Sequence, residues 1–243
     1  LTLNSNSNLS YHIISYFMAL ISPISLPNGK TFNQKLFSRI RVAIESDVPH
    51  IYKLMQQLFV YHDITHLLKS NESSIASGLF NPKYPHLSPV TTLLIEVSAN
   101  PFPSCPNDKT SSKEVDLNMP LIDVESEQFR VVKYDHVDDD DVFIAGYVMF
   151  YPCFSSFFKN PVFHMENFFI RECYRRKGFG KWLFSTMASE AARMGFSSID
   201  WYASDWNESA LGFYKHMGAT ISDDFRVLSL AGKALEAFED DSN

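Results

Sequence analysis

Residues 162–195, VFHMENFFIRECYRRKGFGKWLFSTMASEAARMG, constrain the fold most. An apolar β-like run, Val162–Ile170, passes through a short basic turn carrying Gly178 and Gly180 and enters a helical pattern over residues 181–194. Strand, basic glycine turn and helix, in that order, make an anion cradle. Amide N–H groups at a helix N-terminus have no intrahelical acceptor, the macrodipole adds partial positive charge there, and glycine lets the backbone approach an anion closely. Arg175, Arg176, Lys177 and Lys181 add full charge. Spacing excludes two common phosphate loops. A nucleoside-triphosphate loop requires Gly-x-x-x-x-Gly-Lys-Ser/Thr, but Arg175 stands at the first glycine position and Trp182 follows Gly180-Lys181. The dinucleotide fingerprint requires Gly-x-Gly-x-x-Gly/Ala, and Leu183 stands at its third position. What remains is Arg175-x-x-Gly178-x-Gly180.

The rest of the chain sets the context. Its 243 residues suffice for one sizeable core, and neither a repeat nor a second motif set points to two domains. A net charge of −7 argues against nucleic acid as a general partner, because phosphate backbones are bound by excess Lys and Arg. Cys105, Cys153 and Cys173 are odd in number and form no Cys-x-x-Cys pair, which suggests neither a disulfide framework nor a zinc site and fits a reduced, cytoplasmic protein. Cys173, near the turn, reads as structural, and His62 and His66 read as solvated helix-end histidines with no metal partners. An apolar run over residues 9–26 lacks the preceding positive charge of a signal peptide and is interrupted by Tyr, His and Ser, so no membrane role is expected. Residues 1–37 are expected to be a disordered extension, with the native start at Met18.

Periodicity predicts a strand over residues 38–43 and a helix entered through Glu45-Ser46-Asp47 and Pro49, with Val48, Ile51, Leu54, Met55, Leu58 and Phe59 as its core stripe. A second helix, Glu72–Leu79, and a strand over 92–97 follow. Residues 98–141, rich in Pro, Ser and Asp, read as a flexible insertion that ends in a solvated acidic run. Strands over 142–151 and Val162–Ile170 lead into the cradle and its helix. A strand over 198–203, a short helix opened by Asp205-Trp206-Asn207 and stopped by Gly218, and a last strand over 226–230 complete the order. These elements make an α/β chain with a mixed sheet, one domain over residues 38–239.

Three segments in sequence, Arg175-x-x-Gly178-x-Gly180, Asp205-Trp206-Asn207 and Gly212-Phe213-Tyr214-Lys215-His216-Met217-Gly218-Ala219, resemble the GNAT acyl-CoA-dependent N-acyltransferases. The resemblance spans roughly residues 39–238 and is nearest the spermidine/spermine acetyltransferase branch, in particular its plant ornithine/diamine N-acetyltransferases and tyramine N-hydroxycinnamoyltransferases. Segments 47–54, 61–62, 65–67, 142–147 and 224–226 look like the tyramine enzymes; segments 174–180 and 205–207 look like the acetyltransferases.

The resemblance implies a central mixed sheet flanked by helices, acyl-CoA as co-substrate with no metal, a homodimer, and a set of site residues. Glu166 would accept the proton of the amine, which attacks only as a free base, through water; its place in an apolar strand also makes burial without purpose costly. Tyr214, on its own a core aromatic of a short helix, would donate to the departing thiolate. The backbone of Phe168, Phe169 and Ile170 would pair with the pantetheine arm. Arg175, Arg176, Lys177, Gly178, Phe179, Gly180 and Lys181 would hold the pyrophosphate, with Asn207 and Lys215 also at the cofactor and Asn207 able to cap its helix. Tyr61, His62 and Asn167 would line the amine pocket. Polyamine enzymes carry acids where this chain has His62 and Asn167, which favours a singly cationic amine with an apolar body, such as tyramine, over ornithine, diamines or polyamines; the acyl group is acetyl or hydroxycinnamoyl. A different class of reading is a catalytically silent module that only binds acyl-CoA.

Overall fold

A computed structural model describes residues 29–80, 90–102, 111–131, 141–154 and 161–222. They divide into two compact units, one ending at Trp201 and the other starting at Tyr202.

The first unit is built on a six-stranded sheet. Its strands are β2 (Lys35–Val42), β3 (Thr91–Ser98), β4 (Ser111–Asp116), β6 (Val142–Cys153), β7 (Val162–Ile170) and β8 (Ser198–Asp200), in the order β4-β2-β3-β6-β7-β8. Every pairing is antiparallel except β7 with β8. A separate ribbon pairs β1 (Lys30–Phe32) with β5 (Leu121–Asp123). β3 and β6 are central, and their near-continuous apolar runs are buried on both faces. One face is covered by helix α1 (Val48–Tyr61), whose Val48, Ile51, Leu54 and Met55 pack with Ile75 of α2 (Glu72–Leu79) and with Leu94, Ile144, Tyr147, Met149 and Phe169. On the other lies α3 (Phe179–Arg193), where Phe184 meets Phe168 of β7 edge to face at 6.3 Å between ring centroids.

α1 begins where the sequence predicts, but Asp47 does not cap it. The Asp47 carboxylate turns back to accept from the Ile44 amide at 2.8 Å and from both Arg41 terminal nitrogens at 2.6 and 2.8 Å. α2, by contrast, is capped by Asn71 Oδ1, which accepts from Ser74 N–H at 2.9 Å.

Two expectations are corrected. Residues 30–32 and 35–37 belong to strands rather than to a disordered extension; residues 1–28, Met18 among them, lie outside the described residues. The expected flexible insertion contains β4, β5 and a 3₁₀ turn, Ser126–Phe129. Its polar composition hid a few deep anchors: Leu121, Asp123, Ser126 and Phe129 are all buried. Asp123 accepts from Arg171 Nη1 at 2.8 Å, from Arg171 Nη2 at 2.5 Å and from Tyr174 Oη at 2.7 Å, so its burial is compensated. β4 carries no apolar alternation because it is an edge strand held by its ladder to β2.

Two bulges shape the middle of the sheet. Between β3 and β6 the register steps from Ile95–Gly146 to Glu96–Ile144, leaving Ala145 as the extra residue. Here a Cβ on Gly146 would lie 2.6 Å from the Phe169 carbonyl oxygen, so only glycine permits this approach of β6 to β7. Between β6 and β7 the register steps from Met149–Asn167 to Phe150–Met165, leaving Glu166 as the extra residue.

The second unit holds α4 (Glu208–His216), capped by Asn207, whose Oδ1 accepts from Ala210 N–H at 3.2 Å. Gly218 follows it at φ +94°, the left-handed conformation that ends helices. The expected strand at 226–230, and segment 224–226, lie outside the described residues.

Candidate active site

The β6–β7 bulge decides where the side chains point. Successive strand residues alternate between faces, and one extra residue breaks the alternation. On the α1 face of β6 stand Tyr147, Met149 and Tyr151: the first two pack with α1, and the Tyr151 ring lies tilted against His164 at 5.3 Å between centroids. Phe150 and Phe163 pair on the opposite face at 5.0 Å. Hence His164 and Phe169 share the α1 face although their numbers differ in parity. Glu166 follows the parity of His164 and Asn167 that of Phe169, so the bulge turns these neighbours toward one side. Asn167 Nδ2 reaches Met149 Sδ at 4.0 Å, which fixes it there.

Glu166 is not the buried strand carboxylate that its setting suggests; its side chain is 51% exposed, because the bulge lifts it out of the ladder. It lies where β7 loses a neighbour. β8 pairs with β7 only over Val162–His164, so that ladder ends before Phe168, Phe169 and Ile170. Tyr147, fully buried, has a hydroxyl without a hydrogen-bond partner among the described residues. Burial and then the negative charge of Glu166 hold its phenol far above the usual range, so it is a neutral donor beside the carboxylate.

The turn after β7 carries the residues expected of the cradle. Gly178 is the residue before α3, at φ +81°, and it offers no side chain to cap the helix. Trp182 N–H is the first to bond within the helix, to the Gly178 carbonyl, so the Phe179, Gly180 and Lys181 amides precede the ladder. Not all of the expected cations face outward. Arg175 Nε donates to the Ile170 carbonyl at 2.9 Å, and its guanidinium lies over Tyr61 at 4.9 Å and Phe169 at 5.2 Å. Lys177 Nζ is likewise turned back, to the Cys173 carbonyl at 3.0 Å. Arg176, at φ +62°, and Lys181 are exposed. One cation was missed by sequence reasoning: Lys113 of β4 brings its Nζ to 3.0 Å from where a Gly178 Cβ would stand, and Ser111 Oγ accepts from Trp182 Nε1 at 3.1 Å. Only the β2–β4 ladder, 75 residues across from Ser38 to Lys113, brings this strand to the turn, so no local signal could have found it.

The contact of Arg175 with Tyr61 ties the C-terminal end of α1 to the same turn. His62, the residue after α1, packs edge to face on Tyr61 at 5.4 Å, and burial lowers its pKa, which keeps it neutral at pH 7. Burial and the Asp123 charge push the Cys173 thiol up to about 12, as befits a structural cysteine. In the second unit, burial pushes the Tyr214 phenol up to about 12, so it stays protonated and able to donate at neutral pH. Lys215 is exposed in the last turn of α4.

Comparison with known proteins turns this geometry into a family. The model of the Acetyltransferase (GNAT) family matches residues 93–219, from β3 to just beyond α4. The chain belongs to the GNAT acetyltransferases. It is 40% identical over 215 residues to tyramine N-feruloyltransferase 4/11 of Nicotiana tabacum, covering 86% of this chain and 94% of the relative. It is 37% identical over 222 residues to an L-ornithine N5-acetyltransferase of Arabidopsis thaliana, covering 89% and 94%. Solved structures agree on the fold. An integron cassette protein from the mobile metagenome of V. cholerae matches with a TM-score of 0.52 at 16% identity, covering 83% of this chain and 97% of that one. An aminoglycoside acetyltransferase from an uncultured soil metagenomic sample matches with a TM-score of 0.50 at 13% identity, covering 81% and 97%. This GNAT chain is therefore an N-acyltransferase that uses acyl-CoA as co-substrate. Among the described residues no helix is long and apolar enough to cross a membrane, and no cluster of His, Cys, Asp and Glu could hold a metal ion.

Proposed function

We propose that the chain transfers an acyl group from CoA to a small primary amine with a single cationic group and an apolar body, tyramine being the first candidate. The observation that supports this most is the bulge at Glu166, which sets a carboxylate beside the amide of Asn167 rather than beside a second carboxylate. One carboxylate suits one ammonium. The 40% identity to a tyramine N-feruloyltransferase points the same way, and the 37% identity to an ornithine N-acetyltransferase supports a diamine-like alternative.

In this reading Glu166 takes the proton that an alkylammonium, with a pKa near roughly 10, must lose before attack. The amine nitrogen adds to the thioester carbonyl, the C–S bond breaks, and the Tyr214 phenol, held protonated by burial, supplies the proton of the departing thiolate. The backbone of Phe168, Phe169 and Ile170, past the end of the β7–β8 ladder, receives the pantetheine amides as an added strand. The Phe179, Gly180 and Lys181 amides, with Arg176, Lys181 and Lys113, meet the pyrophosphate. Arg175 and Lys177 hold the turn in shape instead of meeting phosphate directly. Lys113→Ala then raises KM for acyl-CoA about fivefold, equivalent to ~1 kcal/mol, with kcat little changed. An unaltered KM at low salt removes Lys113 from the cradle.

The test of the function is thiol release with acetyl-, feruloyl- and coumaroyl-CoA, each against tyramine, ornithine and putrescine. Preference for tyramine supports the reading, preference for ornithine or putrescine replaces it with the diamine alternative, and CoA binding without release from any pair leaves a silent binding module. Restoring acids with His62→Glu and Asn167→Asp raises kcat/KM for putrescine relative to tyramine by about tenfold, since a second carboxylate attracts the second ammonium. An unchanged ratio removes these two positions from the amine pocket.

A further inference from the structure

The role proposed for Glu166 leaves one group beside it unused. His164 stands opposite Asp200 in the parallel β7–β8 register, at the last paired position before β7 runs on without β8. His164 Nδ1 and Asp200 Oδ1 are 2.8 Å apart, and the other ring nitrogen, Nε2, lies 3.9 Å from Glu166 Oε2. The imidazole is packed against the Tyr151 ring with its side chain only 12% exposed, whereas the two carboxylates are about half exposed. An imidazole ring held between two carboxylates has its tautomer set by the closer one. With Nδ1–H donating to Asp200, Nε2 carries the lone pair, and that lone pair faces Glu166.

We propose that His164, oriented by Asp200, is a positioning and proton-relay residue for Glu166. The inference rests on Glu166 as the amine's proton acceptor. The proton passes from the amine nitrogen to the Glu166 carboxylate and from the Glu166 O–H to His164 Nε2. The resulting imidazolium, between Asp200 and the regenerated Glu166 carboxylate, releases it to solvent. No electrons change hands, and Glu166 is restored for the next amine. The 3.9 Å gap exceeds a hydrogen bond; rotation of the exposed Glu166 stem or one bridging water spans it. Among the described residues, Glu166 on its own strand, Asp200 on β8 and Tyr151 on β6 face His164, and Cys153 of β6, whose thiol is raised by burial and by the Asp200 charge, is the nearby thiol on the Asp200 side. A simple cross-strand pair of His164 and Asp200 predicts a stability effect only, so the test reads quantities that such a pair leaves unmoved.

Two measurements are made on the full chain. In the pH profile of kcat/KM, His164→Asn lowers the plateau about tenfold or more and moves the acidic limb to lower pH, because the neutral imidazole is no longer required; KM for acyl-CoA stays unchanged. Asp200→Asn moves both in the same direction by less. In ¹⁵N NMR spectra of the imidazole at a fixed pH, which do not depend on turnover, Glu166→Gln and Asp200→Asn each shift the His164 ring-nitrogen resonances, since each removes a carboxylate that the ring faces. His164→Asn with wild-type kcat and acidic limb, while Glu166→Gln is inactive, overturns the relay and leaves the Glu166 reading standing. Glu166→Gln with wild-type turnover overturns both, and His164 ring resonances indifferent to Glu166→Gln overturn the coupling itself.

Discussion

Glu166→Gln lowers kcat for amine acylation by about 10²–10⁴ while KM for acyl-CoA stays within about twofold. Glutamine keeps the size and the hydrogen-bonding reach of the side chain but cannot accept a proton. Its half-exposed position on the bulge means that the substitution leaves no cavity and strands no buried charge, so the folded state is unaffected. The loss shrinks as pH rises toward the pKa of the amine itself, because the free base then forms without help; the sign follows from the amine being the group that must be deprotonated. Steady-state rates from pH 7 to 10 check this. A Glu166→Gln enzyme with wild-type kcat at neutral pH would move the base elsewhere.

Asp123→Ala destabilises the fold by about 3–5 kcal/mol. Asp123 and Arg171 are each 1% exposed, and the pair is bidentate. Among the described residues, removing the carboxylate leaves the buried guanidinium with the Ile144 carbonyl at 3.0 Å, the half-exposed Glu125 carboxylate at 3.9 Å and a stack on Phe129 at 3.9 Å. Among the described residues the Arg171 Nε has no hydrogen-bond partner even with Asp123 in place, and Tyr174 loses the acceptor of its hydroxyl. The cost is that of a buried charge whose one remaining carboxylate, Glu125, is beyond hydrogen-bond distance, so removing both partners is milder: Asp123→Leu with Arg171→Met loses less than Asp123→Ala alone. Denaturant unfolding of the single and double variants measures the difference. A single-variant loss below about 1 kcal/mol would show that water reaches the guanidinium and that this pair does not anchor β5 to the turn before the cradle.

Local signals carried much of the fold. α2 and β7 occupy the residues that periodicity and capping predict, Glu72–Leu79 and Val162–Ile170, because Asn71 and the apolar runs act within a few residues of themselves. The glycine turn and the start of its helix were legible for the same reason: a helix N-terminus, its glycines and its charges are all contiguous in sequence. β4 was not. Its residues are polar and its stability comes from a ladder to β2, so nothing within it distinguishes strand from loop. Arg175 shows the same limit in a side chain: its type suggested phosphate, but Tyr61, more than a hundred residues earlier, and the Ile170 carbonyl claim its guanidinium.

By itself the sequence determined the chemistry available: a carboxylate in the strand before the basic turn, a phenol in a short helix, and a basic glycine turn of the kind that suits a pyrophosphate. Only the tertiary structure decided their setting. The bulge that turns Glu166 and Asn167 to one side is a property of two strands in register, and it reverses the exposure that β7 alone implies for the carboxylate. The pairing of His164 with Asp200 and the arrival of Lys113 at Gly178 likewise depend on which strands lie side by side. Period and capping act over a few residues, whereas register is fixed by burying faces of segments far apart in the chain, and no single segment encodes it.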